Sequence, residues 1–354
     1  MNKSANTPAR RRALRGPVVV SAILAAALGL TACTGNGGDD PTGQSTLLPS
    51  STMTSAVASP SVSGSGSASP SVAPSTVSNL DAISVGGNFG QAPAVTAKWP
   101  LAIAATQAKV LSEGTGAVVP KNGTVQVNYT GINARTGQSF DTSFKTGGKP
   151  VTFPLDQVIT GFRTGLEGKK VGSRVLIMMT PKDGYAQGNP QAGILATDSL
   201  IFVVDIVQSQ LTGPAGAAVT PAAGLPTVKD NGAGKAPTIT IGSATKPSAL
   251  VTQPLIKGTG PVVKETDTIV ANYVGVAWNG TLLANNYTSG PEQAVLNTLI
   301  TGWRKGLTGQ TVGSRVLLVV PPSEGYPKGN STPSYPAGET TVYVIDLLLA
   351  TEGA

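Results

Sequence analysis

An internal repeat is the feature that most constrains how this 354-residue chain can fold. Asn128-Tyr129 recurs as Asn272-Tyr273, 144 residues later, and Val171-Gly-Ser-Arg-Val-Leu176 recurs as Val312-Gly-Ser-Arg-Val-Leu317, 141 residues later. The second copy has therefore lost three residues between these two points. Solenoid repeats are roughly 20–50 residues long and need several copies. Two copies of about 125 residues instead predict two folded domains.

The repeat and the changes in composition predict the domain boundaries. We place the first domain at residues 83–208 and the second at residues 226–354, with a linker at residues 209–225 that is rich in Pro, Gly and Ala. Residues 33–82 are dominated by Ser, Thr, Pro, Ala and Gly, and their few apolar residues are scattered. Such a segment cannot offset the entropy of ordering itself, so it is predicted to be a disordered tether.

Within each copy the patterns predict an α+β fold. Residues 124–129 alternate like a half-buried strand, and residues 174–180 and 200–207 are apolar and β-branched, which also favours strands. Between them, residues 155–166 place Val158, Ile159, Phe162 and Leu166 on one face of a helix. One short helix among antiparallel strands is therefore expected in each domain.

The N-terminus has the pattern of an export signal. A basic stretch, residues 1–15, precedes about fifteen apolar residues, which are too few to span a bilayer but suit a signal peptide at residues 1–32. The sequence Leu30-Thr31-Ala32-Cys33 resembles the lipobox of bacterial lipoproteins. That resemblance implies lipidation of Cys33 and anchorage to the outer face of the cytoplasmic membrane. An ordinary cleavage site before Cys33 stays open as an alternative. The export route, Sec or twin-arginine, also stays open.

Composition excludes several classes of function. The chain contains no His, which rules out a Ser-His-Asp triad and any metal site that needs imidazole, and its single Cys cannot form an internal disulfide. Neither a metal nor a cofactor is expected. The first 32 residues hold five of the 25 basic residues and none of the 18 acidic ones, so the remainder is close to +2. No basic stripe with interleaved aromatics is present, so a nucleic-acid partner is not expected.

The first copy contains five short motifs in succession. They are Asn128-Tyr129-Thr-Gly131, Gly137-Gln-Ser-Phe140-Asp141, Val158-Ile159-Thr-Gly161-Phe162, Val171-Gly172-Ser-Arg174 and Gly184-Tyr185. In order and spacing these motifs resemble the signatures of FKBP-type prolyl isomerases. The resemblance covers residues 105–208 and, more loosely, residues 250–350. It implies two FKBP-like domains, each a twisted antiparallel sheet wrapped on a short helix with an apolar pocket between them.

The resemblance also assigns roles to residues of the first domain. The candidate catalytic residues are Tyr129, Phe140, Asp141, Ile159, Phe162 and Tyr185, and the candidate substrate-binding residues are Val158 and Phe202. The Ile159 N–H and the Tyr185 hydroxyl would bond substrate carbonyls that flank the proline. The family often pairs the aspartate with an arginine in the following loop. Here that loop holds only Lys145 and Lys149, which are the candidates to take its place. Binding of macrolide inhibitors is implied as well.

This chemistry is compatible with a chain that has no His. The barrier to prolyl isomerisation, about 18–20 kcal/mol, comes from amide resonance and not from a proton transfer. A twisted amide is less polar than a planar one, so an apolar pocket favours it. The plainer alternatives are that Phe140, Phe162 and Phe202 are core aromatics, that Tyr129 caps a sheet and that Tyr185 is a turn tyrosine. Gly172 and Arg174 are interpreted as structural.

The second copy departs from the motifs at the candidate site. Tyr273, Ile300, Trp303 and Tyr326 occupy the matching positions and are candidate substrate-binding residues. However, Leu283 stands opposite Phe140 and Ala284 stands opposite Asp141. Weak or absent catalysis is therefore expected there, with a peptide-binding or architectural role.

The leading hypothesis is a peptidyl-prolyl isomerase that acts on proline-containing segments of exported polypeptides. The first alternative is a non-catalytic chaperone or adaptor that binds such segments through the same pockets. The second alternative, a lipid-anchored solute receptor, would usually need two α/β lobes with alternating helices, and the repeat does not show them.

Overall fold

The computed structural model describes residues 73–145, 148–331 and 334–352. The predicted signal peptide, Cys33 and most of the predicted tether lie outside the described residues. Within the described ranges, each copy of the repeat forms an antiparallel sheet with one short α-helix against one face. None of the helices in this part of the chain has the length and apolarity that a bilayer span requires.

The chain enters the first domain through four short strands and one 3-10 turn. The strands are β1 (Ser75–Val77), β2 (Ser84–Gly86), β3 (Ala94–Thr96) and β4 (Leu101–Ile103), and the turn is Leu80–Ala82. β1 pairs with β4 in parallel, and β2 and β3 form an antiparallel hairpin. The prediction that the tether extends to residue 82 is therefore wrong for residues 75–82. Their few apolar side chains are separated by polar residues, but Val77 and Leu80 still pack against the sheet of the first domain.

The first domain has a six-stranded sheet. Its strands are β5 (Gln107–Ser112), β6 (Thr124–Asn133), β7 (Ser139–Thr142), β8 (Val151–Pro154), β9 (Arg174–Met179) and β10 (Leu200–Ser209). The order across the sheet is β5-β9-β10-β6-β7, and β8 continues from β6 beside β7. Two 3-10 turns, Pro181–Asp183 and Pro190–Ala192, lie in the loop between β9 and β10.

The predicted helix at residues 155–166 is divided into two parts. A 3-10 turn, Leu155–Gln157, is followed by the helix α1 (Thr160–Leu166). Two glycines let α1 lie close to the sheet, because a Cβ at Gly161 would be 2.6 Å from the Met179 Cβ and one at Gly165 would be 2.5 Å from the Ile177 Cδ1. These glycines weaken the helix on propensity alone, but the close packing requires them.

Both faces of the first sheet are buried. Alternate residues of β9 and β10 point to α1 on one side and to the β1–β4 segment on the other, where Leu80, Ile83, Leu101 and Ile103 cover Leu176 and Ile201. The pattern in β6 had predicted a half-buried strand, and it is wrong in this respect. Of these covering residues, Leu80 comes from the end of the predicted tether, whereas Ile83, Leu101 and Ile103 lie in the predicted first domain.

Arg174 fastens the β2–β3 hairpin to the sheet. Its guanidinium pairs with Asp205 at 2.6 and 2.7 Å and donates to the carbonyls of Gly87 and Gln91 at 2.7 and 2.6 Å. The amide of Gly90 donates to Asp205 at 2.6 Å. A buried ion pair with all its hydrogen-bonding groups satisfied fixes the position of the segments that it joins. The structural role expected of Arg174 is confirmed.

The second domain repeats this plan. Its strands are β11 (Gly216–Ala218), β12 (Thr227–Lys229), β13 (Thr238–Thr240), β14 (Val251–Gly258), β15 (Thr268–Ala277), β16 (Leu282–Asn285), β17 (Glu292–Val295), β18 (Arg315–Val320), β19 (Asn330–Ser331), β20 (Ser334–Tyr335) and β21 (Thr341–Thr351). Its helix is α2 (Thr301–Leu307), and its 3-10 turns are Leu296–Thr298 and Pro322–Glu324. The main sheet has the order β11-β14-β18-β21-β15-β16, with β17 on β15.

The predicted linker, residues 209–225, is not a free connection. β11 lies in it and pairs with β14, while Leu211 and Leu225 pack against the two cores of the second domain. The β12–β13 hairpin covers the sheet with Val228 and Ile239, as β2–β3 does in the first domain. The high content of Pro, Gly and Ala in this segment predicted a linker, although its residues contribute to the fold.

Candidate active site

A cleft lies between α1 and the sheet of the first domain. Its empty volume, including the open mouth, is about 360 Å³. All eight residues that the resemblance assigned to the pocket line this cleft. They are Tyr129, Phe140, Asp141, Val158, Ile159, Phe162, Tyr185 and Phe202.

Aromatic rings form the walls and floor of the cleft. Phe162 on α1 meets Phe202 on β10 edge to face, with ring centroids 5.5 Å apart, and Phe140 on β7 meets Phe202 in the same way at 5.7 Å. The close approach of Phe140 and Phe202 depends on Gly131, because a Cβ there would be 2.6 Å from the Phe140 ring. The edges and faces of these rings present an apolar surface with little freedom to rearrange.

Phe153 is a residue of the cleft that the sequence analysis missed. Its ring lies 6.1 Å from those of both Tyr129 and Phe162. It belongs to β8, a four-residue strand that follows the loop containing Lys145 and Lys149. Alternation in Val151-Thr-Phe153 was the available signal, since it places Val151 and Phe153 on one face of the strand.

Tyr129 and Asp141 form the polar side of the cleft. The Tyr129 hydroxyl donates to an Asp141 carboxylate oxygen. Burial raises the pKa of Tyr129 well above its ordinary value, and the hydrogen bond to Asp141 and its negative charge raise it further. The phenol therefore stays protonated and holds the carboxylate at the rim. Because β6 and β7 pair with Gly131 opposite Asp141, this contact follows from the strand register.

The expected lysine partner of Asp141 is not found. Lys149 instead contacts Glu352 at 3.5 Å, and neither Lys149 nor Lys145 pairs with Asp141 in the described residues. That prediction was wrong for the described residues, in which neither lysine lines the cleft. Asp141 is held instead by Tyr129 and by its position in β7.

Two of the residues that line the cleft, Ile159 and Tyr185, carry hydrogen-bond donors. Ile159 immediately precedes α1, and in the described part of the chain its N–H has no acceptor, since the first helical bonds are made to the Ile159 carbonyl. Tyr185 lies across the cleft in the loop after β9 and is half-buried. Burial, together with the charge of Asp141, raises the pKa of Tyr185, so its hydroxyl remains a donor at neutral pH.

A model of the family described as FKBP-type peptidyl-prolyl cis-trans isomerase matches residues 116–207 and 260–348, one segment in each domain. The chain belongs to this family. The match includes every residue of the cleft.

Bacterial relatives match one domain of the chain. A probable FKBP-type peptidyl-prolyl cis-trans isomerase of Haemophilus influenzae is 37% identical over 99 residues, which are 28% of this chain and 40% of that protein. The FKBP-type isomerase FkpA of Escherichia coli K12 is 36% identical over 108 residues, 30% of this chain and 40% of the relative. The chain thus spans less than half the length of these relatives.

Solved FKBP structures are similar as well. The three FKBP domains of wheat FKBP73 cover 70% of this chain and 95% of that one at 17% identity and a TM-score of 0.31. FkpA from Escherichia coli covers 30% of this chain and 50% of that one at 33% identity and a TM-score of 0.28.

The second FKBP domain places different residues around the same point. Gly275 pairs with Ala284 as Gly131 pairs with Asp141, so Ala284 does take the place of the aspartate. The Tyr273 hydroxyl instead donates to Glu292 on β17 at 2.8 Å. Burial raises the pKa of Glu292, although the bond from Tyr273 acts in the opposite direction.

Tyr335 occupies the space above the floor of the second domain. Its ring is only 2% exposed and stacks on Tyr326 with centroids 4.4 Å apart. It packs in the same cluster as Tyr273, Trp303 and Tyr343, which are 2%, 1% and 0% exposed. Ile194 holds the corresponding position in the first domain, where Tyr129, Phe162 and Phe202 retain 8%, 5% and 5% exposure.

Tyr273 and Trp303 therefore offer less surface to a ligand than their counterparts in the first domain, and substrate binding by these two residues stays a prediction. Ile300 and Tyr326 pack against the same cluster and keep part of their surface exposed. The burial of Tyr335 was not evident from the sequence, since only the fold shows that it shares a core cluster with Trp303.

Proposed function

We propose that the first domain is a peptidyl-prolyl cis-trans isomerase that acts on proline-containing segments of exported polypeptides. The observation that supports this most directly is the open aromatic cleft, which eight predicted residues from separate segments of the chain line together. The rings of Phe140, Phe162 and Phe202 would enclose the proline ring, and the donors at Ile159 and Tyr185 would hold the flanking carbonyls.

The catalytic effect would come from the difference between the cleft and water. A planar prolyl amide has a large dipole, whereas the twisted amide has lost its resonance and is less polar. Transfer into an apolar cleft therefore costs the planar form more than the twisted form, and only this difference accelerates the reaction. A preference of about 1.4 kcal/mol corresponds to a tenfold gain in rate. Neither acid nor base is needed.

The exported location is a further part of the proposal. The apolar stretch and the Leu30-Thr31-Ala32-Cys33 motif support lipidation of Cys33 and anchorage at the outer face of the cytoplasmic membrane. The change Cys33→Ser should move the protein from the detergent-soluble membrane fraction to the aqueous fraction. If the distribution of the variant equals that of the parent, the lipid anchor is refuted.

A protease-coupled assay with proline-containing peptides tests the activity. In the full chain, Phe140→Ala should lower kcat/KM by about tenfold or more, because it removes one wall of the cleft. The matched change in the second domain, Leu283→Ala, should leave kcat/KM within about twofold of the parent. A macrolide inhibitor of the family should compete with peptide in the parent protein.

If the parent protein binds the peptides but isomerises them only at the uncatalysed rate, the enzyme hypothesis is refuted. The protein would then be a non-catalytic chaperone or adaptor. Equal losses from the two matched variants would show that the activity does not reside in the first domain alone.

A further inference from the structure

The loop between β9 and β10 forms one rim of the cleft. Within this loop, the Tyr185 carbonyl accepts from the Gly188 amide at 2.8 Å. Asn189 and Ile194 then exchange two backbone hydrogen bonds, at 2.8 and 2.9 Å, which close a tight turn. Ile194 is buried against the aromatic cluster of the cleft, while the next residue, Leu195, is 54% exposed. The turn therefore places one residue against the aromatic cluster of the cleft and the next residue in solvent.

The carboxylate of Asp198 joins this turn to the sheet. It accepts from the Leu195 amide at 2.9 Å, from Asn133 Nδ2 at 2.7 Å and from Arg135 Nε and Nη2 at 2.9 and 3.1 Å. The Asp198 side chain is 2% exposed. Burial opposes its charge, but the hydrogen bonds from Arg135, Leu195 and Asn133 outweigh this effect and hold its pKa below the ordinary value.

Asn133, the last residue of β6, and Arg135, in the turn that follows it, also hold the loop turn directly. Asn133 Nδ2 and Arg135 Nη2 donate to the Gly193 carbonyl at 3.3 and 3.2 Å. The turn is thus held at Gly193 and Leu195, on both sides of Ile194. Charge-assisted hydrogen bonds of this kind are stronger than neutral ones, and a buried carboxylate with several donors is rigidly placed.

The second domain lacks this cluster. Ala277 and Asn279 stand where the first domain has Asn133 and Arg135, and Glu339 stands in place of Asp198. Glu339 accepts instead from the backbone amide of Trp278 at 3.0 Å. The cluster therefore accompanies the open cleft and is absent where Tyr335 fills the corresponding space.

We infer that Asp198 is a positioning residue for the isomerase reaction, which holds the Ile194–Leu195 turn at the rim of the cleft through Arg135 and Asn133. The inference depends on the proposed activity of the first domain. A turn that is already ordered spares the substrate the entropic cost of ordering it, so catalysis by the cleft depends on a carboxylate that does not touch the substrate. The exposed Leu195 would then meet the residue beside the proline.

The test compares Asp198→Ala, Asp198→Asn and Arg135→Gln with the matched control Glu339→Gln in the full chain. Each is assayed with peptides that differ only in the residue before the proline. We expect Asp198→Ala to lower kcat/KM by about tenfold and to narrow the discrimination between these peptides, with a smaller loss for Asp198→Asn. Glu339→Gln should change neither quantity.

Amide hydrogen exchange supplies a measurement that does not require activity. In Asp198→Ala, peptides that cover residues 186–197 should exchange faster than in the parent, while peptides that cover α1 should be unchanged. The effects of Asp198→Ala and Arg135→Gln should not add in the double variant, because both remove the same contact. If Asp198→Ala does not fold, the same measurements are made on Asp198→Asn, which keeps the side-chain volume.

The outcomes separate the two claims. A parent protein without isomerase activity refutes the proposed function, and the exchange data still decide whether Asp198 orders the turn. An active, folded Asp198→Ala variant with unchanged kcat/KM and discrimination refutes the positioning role. A loss of activity that merely follows the unfolded fraction, with discrimination preserved, refutes it as well.

Discussion

The two domains have the same fold but differ in what fills the space between helix and sheet. Both keep the buried arginine–aspartate pair, Arg174–Asp205 and Arg315–Asp346, and both keep glycines where the helix meets the sheet. In the first domain the space above Phe162 is an open cleft, and in the second it is occupied by the Tyr335 ring. Residues that maintain the fold have thus been retained, while those that admit a ligand have changed.

The difference in the carboxylate is equally informative. The tyrosine at the centre of each sheet donates to an acid, but this acid is Asp141 on β7 in the first domain and Glu292 on β17 in the second. Both arrangements satisfy a buried phenol, which is a requirement of the fold. Only the first leaves the carboxylate beside an open aromatic cleft.

The largest expected difference between the two domains is the stability lost when the arginine of the buried ion pair is replaced. Arg174→Leu should lower the free energy of unfolding of the first domain by about 3–5 kcal/mol, because Asp205 would remain buried without its partner. Asp205 and Asp346 would each keep one other donor, the Gly90 amide and the Tyr287 hydroxyl. Arg315→Leu should still cost less, since Arg315 donates to no hairpin carbonyl in the described residues and its other partner, Asp230, is 60% exposed. Urea denaturation of both variants measures this. Equal losses would show that the bonds from Arg174 to the hairpin carbonyls do not contribute.

A second change tests whether Tyr335 alone closes the second domain. Tyr335→Ile introduces the residue found in the first domain and should cost about 2 kcal/mol of stability through the cavity that it leaves. The exposed Trp303 floor should then respond to proline-containing peptides by a change in tryptophan fluorescence that the parent lacks. If the tryptophan fluorescence of the folded variant does not change when peptide is added, residues other than Tyr335 close the cleft of the second domain.

Replacing Asp141 or Glu292 by the corresponding amide should show which domain is responsible for the isomerase activity. Asp141→Asn should lower kcat/KM by about tenfold, equivalent to about 1.4 kcal/mol, because the charge near the twisting carbonyl is lost. Glu292→Gln is the matched change and should leave kcat/KM unaltered. The protease-coupled peptide assay measures both. A larger effect from Glu292→Gln would reverse the assignment of the active domain.

The smallest expected effect is the contribution of Glu292 to stability as a function of pH. Because burial raises the pKa of Glu292, the folded state binds its proton more tightly than the unfolded state. The stability of the second domain should therefore fall as pH rises from the unfolded to the folded pKa of this group. Glu292→Val, the residue at the matching position in the first domain, should flatten this slope in denaturation measured across that interval.

The sequence predicted the cleft well because its residues lie in motifs with fixed spacing. Tyr129, Phe140 and Asp141 are carried by neighbouring strands whose register brings them together. Phe153 lay outside these motifs and was missed. The filling of the second cleft depends on the course of the loop before Tyr335, and neither spacing nor periodicity reports such a long-range contact.

Domain limits were the least predictable feature. Leu80, Leu211 and Leu225 lie in segments rich in small and polar residues, yet each packs into a core. Composition describes how a segment would behave alone. It does not reveal that a neighbouring sheet has an apolar face to be covered.

The hairpins behind the sheets have a practical consequence for any attempt to prepare a single domain. The family match begins at residue 116, but a fragment cut there would lose β1–β5 and expose Leu176, Met178 and Ile201 to water. An uncovered apolar sheet face of this kind invites aggregation. Recombinant fragments should therefore start near residue 73 for the first domain and include residue 211 for the second.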